Sequence, residues 1–323
     1  MIDGIRSGLN ICGSSVIPSL FPFMVISDFI LRSGIGNIAG QKLAPITNKV
    51  FRLPGTAGCA VMLSLVGGFP VGAKMTAQLF ENGDITRKQG RRMIFFCVNA
   101  GPAFVIGTVG STMLSSRKAG IILFASLTAS SLLTGFVSRF AEKKTDRINI
   151  KTSPFNPSVL SDSVSSSVQA MLGVCAWILL FSGLNAYLIR LPVNGSALAV
   201  LSMLTEVTGG CITASNAFPA FVCAFVIGWS GLAVHCQLLP YISRLEIKIS
   251  MFLLSRIIAG VLSALIAFLL FKLFPCEISV FSPSSGIISK PLSASVPAAA
   301  AMMVLSSVMI IDMSSCTKEK NVL

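Results

Sequence analysis

The fold is decided by the apolar stretch at residues 63–74, which reads LSLVGGFPVGAK. A second stretch, at residues 201–211, reads LSMLTEVTGGC and has the same form. With its apolar flanks, each stretch is long enough to enter a bilayer, and each is interrupted near its middle by Gly, Pro or a charged residue. Interruptions at corresponding positions in the two halves of a chain are typical of the binding sites of transporters.

The composition indicates an integral membrane protein built from helices. The chain is 53% hydrophobic and 11% charged, with a mean hydropathy of +0.82, whereas soluble domains carry about 25% charged residues. Apolar stretches of about 20 residues, the length of a membrane-spanning helix, recur along the whole chain. We therefore expect an all-α, polytopic transmembrane protein. The stretches lie near residues 11–31, 55–80, 93–114, 118–138, 168–190, 196–216, 217–240, 250–273 and 292–312.

The net charge of +13 is explained by the positions of the basic residues. Most lie in short loops, where an excess of Lys and Arg on the cytoplasmic side orients membrane proteins, so the charge does not indicate nucleic-acid binding. If every apolar stretch crosses once, the two faces hold 12 and 11 basic residues. If both interrupted stretches enter and leave on the same face, the counts become 17 and 6. This asymmetry predicts two re-entrant hairpins, the first entering from the cytoplasm and the second from outside.

Short sequence matches in the same order predict two inverted-topology repeats. Residues 103–110 and 224–231 both begin with AFVIG, and residues 29–32 resemble residues 187–190. The predicted unit is a helix, a broken or re-entrant helical hairpin, and two further helices. The predicted parts are a first membrane repeat at 1–138, a cytoplasmic linker at 139–167, a second membrane repeat at 168–273, and a C-terminal loop with a last transmembrane helix at 274–323.

Glu206 is the clearest candidate for a binding residue, because ionisable groups at membrane depth are costly and usually mark a pathway. It lies in the middle of its apolar stretch, just before Thr208, Gly209 and Gly210. The glycines permit unwound backbone, whose amides and carbonyls can face a ligand. The alternative is that Glu206 is a structural group paired with a polar neighbour.

The first interrupted stretch supplies a second group of candidates. This group consists of Gly67, Gly68, Pro70, Gly72 and Lys74. We expect the glycines and the proline to break the helix and form the tip of the hairpin. Lys74 is either a partner for Glu206, a ligand for an anionic group, or a side chain that snorkels to the membrane surface.

The next apolar stretch adds Asn99, Gly101 and Pro102. A proline that follows a glycine would kink the helix and free a backbone carbonyl. Asn99 both donates and accepts hydrogen bonds. It therefore either contacts an amide or hydroxyl group on a ligand or joins two helices.

The other ionisable residues in the apolar stretches have simpler expected roles. Asp28 is expected at the membrane interface and Arg256 is expected to snorkel, while His235 is either an interfacial or packed residue or a proton relay. The nine Cys form no C-x-x-C pair, and the sequence carries no nucleophile elbow, phosphate loop or metal-ligand cluster. We therefore predict that the chain is not an enzyme and uses no cofactor or metal.

Three motifs are specific enough to carry a resemblance to a family. They are PSLFPF at 18–23, GFPVGAK at 68–74 and NAGPAF at 99–104. Together they resemble the YlbJ-type sporulation integral membrane proteins of the nucleoside-recognition Gate group, which also includes gate regions of nucleoside transporters and of FeoB. The resemblance covers about residues 5–275. It implies a Gate-like first repeat and a multi-pass protein of the bacterial cell (inner) membrane in spore formers. By resemblance, the motif positions fall on Gly68, Pro70, Gly72, Lys74, Asn99, Gly101, Pro102 and Glu206.

Two functions remain open at this point. The first is a transporter-like protein that binds or moves a small polar solute at the interface of the two repeats, with H⁺ or Na⁺ as a conceivable coupling ion. The second is a non-transporting membrane scaffold of a sporulation complex. The expected partners are the lipid bilayer and the solute, no nucleic acid is expected, and association into a homo-oligomer is left open.

Overall fold

The computed structural model describes residues 2–141, 158–188 and 195–276, which form helices joined by short turns, with no strand among them. The predicted all-α architecture is thereby confirmed. The predicted last helix at 292–312 and most of the predicted linker lie outside the described residues.

The first repeat contains the predicted hairpin and two helices, Ile2–Ile11 and Ile35–Phe51, that were not predicted as separate elements. The second of these meets the first arm of the hairpin at an angle of 83°. The helices are α1 (Ile2–Ile11) and α2 (Ile17–Arg32), joined through the π-helical turn Cys12–Val16, followed by α3 (Ile35–Phe51), α4 (Gly55–Gly67), α5 (Phe69–Glu81), α6 (Arg87–Phe96), the π-helix Ala103–Met113, and α7 (Arg117–Ser138).

The second repeat has a similar order of helices. Its first helix begins at Val159, before the predicted boundary at 168, so the end of the predicted linker is helical. The helices are α8 (Val159–Leu188), α9 (Gly195–Thr205), α10 (Val207–Ala217), α11 (Phe221–Trp229), α12 (Gly231–Arg244) and α13 (Ile249–Leu273).

Both predicted interruptions are breaks between two helices. The break between α4 and α5 lies at Gly68, whose φ of +87° is a conformation that glycine adopts without a steric penalty. The break between α9 and α10 lies at Glu206, which has an extended backbone. Each break comes one helical turn after a Leu-Ser pair that ends at Ser64 or Ser202, respectively. The matched positions in the sequence therefore correspond to matched breaks in the structure.

A second break follows each hairpin. In the first repeat, residues 97–101 separate α6 from the π-helix, and in the second repeat Ser230 separates α11 from α12. From the hairpin onwards, both repeats thus have the order broken hairpin, broken helix, helix, whereas three helices precede the hairpin in the first repeat and α8 alone precedes it in the second. The matching AFVIG segments lie after the break in the first repeat and before it in the second, so this local match does not align equivalent positions.

The turns predicted to share the cytoplasmic face contact one another directly. Arg87 Nη1 lies 2.8 Å from Glu246 Oε2, and Arg244 Nη1 lies 2.8 Å from Glu81 Oε1. Arg91 donates to the backbone oxygens of Leu245 and Glu246 at 2.8 and 2.9 Å. Residues 81–91 and 244–246 therefore lie on the same face of the protein.

Two further contacts add other loops to this face. Arg92 Nη2 donates to Phe51 O at 2.5 Å, and Arg52 Nη1 donates to Arg139 O at 3.4 Å. On the opposite side, Lys118 Nζ donates to Pro275 O at 3.0 Å. If every apolar stretch crossed the membrane once, residues 51–52 and 81–92 would lie on opposite faces. The contacts agree instead with hairpins that enter and leave on one face.

The hydrophobic core joins the two repeats. One buried cluster includes Val105 and Leu123 from the first repeat together with Ile227 and Phe252 from the second. Among the described residues, four helical stretches are long and apolar enough to cross a bilayer, and two bent helix pairs also qualify if each pair counts as one span. The four stretches are Arg117–Ala141, Val159–Leu188, Phe221–Arg244 and Ile249–Leu273, and the pairs are Ile2–Ser14 with Ile17–Arg32 and Ile38–Phe51 with Gly55–Gly67.

The positions of the loops predict the labelling of single cysteines in a cysteine-free protein. In sealed cells, a membrane-impermeant maleimide should not label cysteines at Lys42, Asn82 and Lys248 until the membrane is opened, and it should label a cysteine at Lys118 from outside. All four side chains are exposed. Labelling of Lys42 and Asn82 from opposite sides would contradict the re-entrant arrangement.

Candidate functional site

The tip of the first hairpin, residues 66–68, lies against the break that follows α6. A Cβ placed on Gly101 would lie 2.8 Å from Val66 O and 3.4 Å from Gly68 N. The two interruptions therefore touch each other through backbone atoms. Because unwound backbone inside a membrane needs partners within the protein, this contact brings groups freed at both breaks to one place.

The second repeat has an equivalent contact. A Cβ placed on Gly231 would lie 3.0 Å from Val207 N and 3.1 Å from Glu206 Cα. Gly231 and the preceding Ser230 both have positive φ, of 75° and 76°. The break in the hairpin and the break in the following helix therefore also meet in this repeat.

The carboxylate of Glu206 is bound by its own helix. It accepts hydrogen bonds from the backbone N–H groups of Thr208, at 2.8 Å, and of Gly209. A carboxylate in this position satisfies two unpaired amides and interacts favourably with the positive end of the dipole of α10. Gly210, which packs against Met203 in α9, holds the two arms of the hairpin close together.

The first tip differs from the second in having no such carboxylate. Position 68 is a glycine, and no described side chain caps the first turn of α5. Pro70 lies in this turn, where its missing N–H is not needed. One turn later, Gly72 is in tight contact with Cys97 O and Ser64 Cβ. The N-terminus of α5 therefore keeps its positive partial charge.

A small cavity adjoins the first tip and is bordered by both repeats. It has room for about one water molecule. The first repeat contributes residues from α5, α6, the break and α7, and the second contributes residues from α11 and α13. The side chains that matter to its chemistry are those of Phe69, Asn99, Ser130, Ser131, Arg256 and Ser263.

Polar side chains around the cavity satisfy the backbone carbonyls freed at the break. Phe96 O accepts hydrogen bonds from Asn99 Nδ2 at 2.8 Å and from Ser131 Oγ at 2.6 Å. Val98 O accepts one from Arg256 Nη1 at 2.6 Å. Asn99 Nδ2 also lies 3.2 Å from Ser131 Oγ on α7, and the side chain of Asn99 lines the cavity.

Arg256 does not snorkel as expected. Its side chain is 2% exposed and reaches across the interface from α13 to the break in the first repeat. Snorkelling was expected because Arg256 lies only two turns into its helix, but the freed carbonyl of Val98 gives the guanidinium a partner in the interior. Within the described part of the chain, no carboxylate lies within ion-pair distance of Arg256, and its Nε has no hydrogen-bond partner.

A buried aromatic group supports the second tip. Trp229 Nε1 donates to Leu204 O at 3.0 Å, and His235 Nε2 lies 2.7 Å from Trp229 O. The His235 ring packs edge-on against Trp229 and Phe252. A backbone carbonyl only accepts hydrogen bonds, so Nε2 carries the proton. His235 is therefore a packed residue, which is one of the roles expected for it.

Lys74 pairs with Asp28 and not with Glu206. Lys74 Nζ lies 3.2 Å from Asp28 Oδ1, and both side chains are buried. Asp28 was expected at the interface, but its carboxylate is wholly enclosed between α2 and α5. The sequence did contain one indication that Asp28 is paired. It lies one helical turn before Arg32, a spacing that allows an ion pair along the helix.

The predicted site residues therefore form two groups instead of one. Gly67, Gly68 and Pro70 lie at the first tip with Gly101 and Pro102 opposite, and Asn99 lines the cavity. Glu206, Thr208, Gly209 and Gly210 lie at the second tip and do not line that cavity. In the described ranges, no three His, Cys, Asp or Glu side chains are close enough to hold a metal ion.

The chain is similar to known proteins over most of its length. Residues 14–143 match the family described as Gate, nucleoside recognition. The chain is 28% identical over 314 residues to the sporulation integral membrane protein YlbJ of Bacillus subtilis (strain 168), and the match covers 83% of this chain and 76% of that protein. No solved structure matches the chain. The resemblance seen in the three motifs is confirmed.

The close contact at Gly72 predicts different effects of adding a methyl group at two glycines. Gly72→Ala would place a Cβ against Cys97 O and should destabilise the protein by about 1–3 kcal/mol or more. Gly107→Ala is the matched control, because nothing lies within 4 Å of a Cβ at that position. Thermal unfolding of the purified proteins in detergent measures the difference, and equal melting temperatures would contradict the packing of the first hairpin.

Proposed function

We propose that this multi-pass membrane protein, which is related to the sporulation integral membrane protein YlbJ and carries the nucleoside-recognition Gate domain, moves a small, negatively charged polar solute across a membrane during spore formation. The solute would bind at the interface of the two repeats, next to Arg256. Support comes from the breaks in the helices, the position of the cavity and the charge of its lining.

The position of the cavity favours a role in transport. Transporters built from inverted repeats place their substrate near the middle of the bilayer, between the repeats, where broken helices present backbone groups. Here the cavity lies between α7 of the first repeat and α13 of the second, beside a hairpin tip and a helix break. A rocking motion of one repeat against the other would alternate access to this cavity between the two sides of the membrane.

The observation that carries the proposal is the buried charge of Arg256. A buried cation is costly unless an anion compensates it, and none of the described carboxylates does so. The first turn of α5, which begins at Phe69 on the cavity wall, adds the positive end of a helix dipole. Ser263 adds a hydroxyl group to the lining, whereas the hydroxyls of Ser130 and Ser131 donate to Ala259 O and Phe96 O.

The comparison between the two tips supports the same conclusion. At the second tip the carboxylate of Glu206 occupies the position at the helix N-terminus where an anion would bind. At the first tip the equivalent position, Gly68, has no side chain. The first tip therefore resembles the second with its anion removed, and a carboxylate or phosphate group on the solute would restore the balance of charge.

The size of the cavity requires movement for a solute to enter. There is room for about one water molecule, so the described conformation is closed around the site. Gly68 joins the two short helices α4 and α5, next to Phe69 on the cavity wall. Displacement of the hairpin α4–α5 from α7 and α13 would enlarge the cavity without unfolding either arm.

Two other functions give different expectations at this site. A neutral nucleoside, suggested by the description of the family, would use the hydroxyl and amide groups of the lining and would not need the charge of Arg256. A scaffold would bind no solute, and the small volume of the closed cavity is the observation in its favour. The charge requirement separates these alternatives.

The proposal predicts that anions stabilise the wild-type protein through Arg256. Purified full-length protein would be heated with chloride, acetate, inorganic phosphate, uridine or uridine monophosphate, with sodium gluconate as the ionic-strength reference. At least one of the four anions should raise the melting temperature, since a ligand at 100 times its Kd stabilises by about 2.7 kcal/mol. Arg256→Gln should abolish this rise.

Arg244→Gln is the matched control, because Arg244 is exposed and paired with Glu81 on the surface. It should keep the wild-type response to anions. Three results would contradict the proposal: stabilisation by uridine alone, an anion effect that persists in Arg256→Gln, or no response of the wild type to any of the four anions.

A further inference from the structure

A second and larger cavity lies between α8 and α12. Its volume is about 410 Å³, and ligand sites in proteins typically measure about 300–1,000 Å³. It opens to the surface, because Pro240, Ser243 and Ile249 on its wall are exposed. It shares no residue with the cavity beside Arg256. The proposed movement of a solute therefore does not account for it.

The sequence of α12 explains why this groove is open. Cys236, Leu239, Pro240 and Ser243 have the spacing of one helical face. Three of these side chains are small, so the face does not fill the space beside Trp177 on α8. Apart from Ser243, all the side chains that line the cavity are apolar. The lining is therefore suited to a hydrocarbon.

The cavity extends from one face of the protein into the apolar zone. Ile247 and Ile249 form its wall just after Arg244, where α12 ends. Residues 244–246 belong to the face on which the turns of both repeats meet. Cys236 lies just over two helical turns before Arg244, a distance of about 12 Å along the helix. A chain that enters from this face would lie along the membrane-spanning part of α12.

The mouth of the cavity carries a positive charge. Lys248 lies between Ile247 and Ile249, and its side chain is exposed. In the described part of the chain no carboxylate forms an ion pair with Lys248, whereas Arg244 is paired with Glu81. No side chain caps the first turn of α13, so the positive end of its dipole lies at the same place. An anionic group here would complement both charges.

We propose that the cavity binds an anionic phospholipid from the leaflet at this face. One acyl chain lies in the groove against Trp177, and the phosphate group lies at Lys248. The binding makes and breaks no covalent bond. The lipid fills the space between α8 and α12 and contacts the start of α13, so it connects three helices of the second repeat. This inference does not rest on the proposed function.

The charge at the mouth favours a lipid over a second copy of the chain. Most homo-oligomers have closed symmetry, and a two-fold contact uses the same patch on both copies. Such a contact would bring two Lys248 side chains to one face, where like charges repel each other. It would also place one open groove against another and leave both unfilled.

Trp177 provides a direct readout of binding. The chain has two tryptophans, and the other, Trp229, is buried near the second tip. Full-length protein would be reconstituted in phosphatidylcholine vesicles that contain a small fraction of lipid with brominated chains, which quench tryptophan fluorescence on contact. At the same mole fraction, brominated phosphatidylglycerol should quench more than brominated phosphatidylcholine. Trp177→Phe should remove this difference.

The charge of Lys248 should account for the preference. Lys248→Gln should weaken the binding of phosphatidylglycerol about fivefold, which corresponds to the roughly 1 kcal/mol that one basic residue contributes near an anionic membrane surface. Quenching by phosphatidylcholine should stay the same in this variant. Lys49→Gln is the matched control, because Lys49 is also exposed but lies near the end of α3, away from the cavity. It should keep the wild-type preference.

Three results would overturn the proposal. The first is equal quenching of the wild type by both lipids, which is expected if a second copy or another part of the chain fills the cavity. The second is a preference that persists unchanged in Lys248→Gln. The third is displacement of phosphatidylglycerol by glycerol 3-phosphate, which has the phosphate but no chain and would indicate a site for free anions.

The variant Arg256→Gln separates this inference from the proposed function. Arg256 does not line the cavity between α8 and α12. Arg256→Gln should therefore keep the preference for phosphatidylglycerol even though it is expected to lose the response to soluble anions. Loss of the lipid preference in this variant would contradict a separate lipid site.

Discussion

The structure depends on one constraint, which is that backbone groups freed at a helix break inside a membrane must find partners within the protein. Each hairpin break meets this constraint by lying against the break in the following helix. Asn99, Ser131 and Arg256 bind the freed carbonyls beside the first tip, while Trp229, His235 and Glu206 bind freed groups around the second. Polar chemistry is therefore concentrated where the repeats meet.

This concentration gives the two tips different electrostatic characters. At the second tip a carboxylate from the protein neutralises the helix N-terminus. The first tip has a bare helix N-terminus and a buried guanidinium. The two repeats have a similar order of helices but a different distribution of charge. A solute would therefore meet a positively charged site at the first tip and not at the second. The ion pair of Asp28 and Lys74 joins α2 to α5, the arm that borders this site.

Local sequence and loop charge predicted much of this arrangement, and long-range pairing was the part they could not supply. The break at Gly68 follows from residues that interrupt a helix, whereas the second break lies at Glu206, and the glycines expected to unwind, Gly209 and Gly210, are helical. The charge asymmetry predicted which loops share a face, because it is a sum over many residues. Arg256 and Asp28 were misplaced because their partners, Val98 O and Lys74, come from distant elements. From the sequence alone, a residue near a helix end is expected at the membrane interface, because a distant partner in the interior cannot be identified.

The central claim is that the turn after the first hairpin and the turn after α12 lie together on one face of the protein, where the two repeats meet. Gly90 in α6 and Leu245 after α12 touch at this face, since a Cβ on Gly90 would lie 2.7 Å from Leu245 Cδ2. Paired cysteines at these positions, oxidised in native membranes with copper phenanthroline, test the claim most directly. The account predicts a disulfide within one chain, visible as a shift in gel mobility that reductant reverses. Failure to cross-link, with both thiols free and the protein folded, would contradict it.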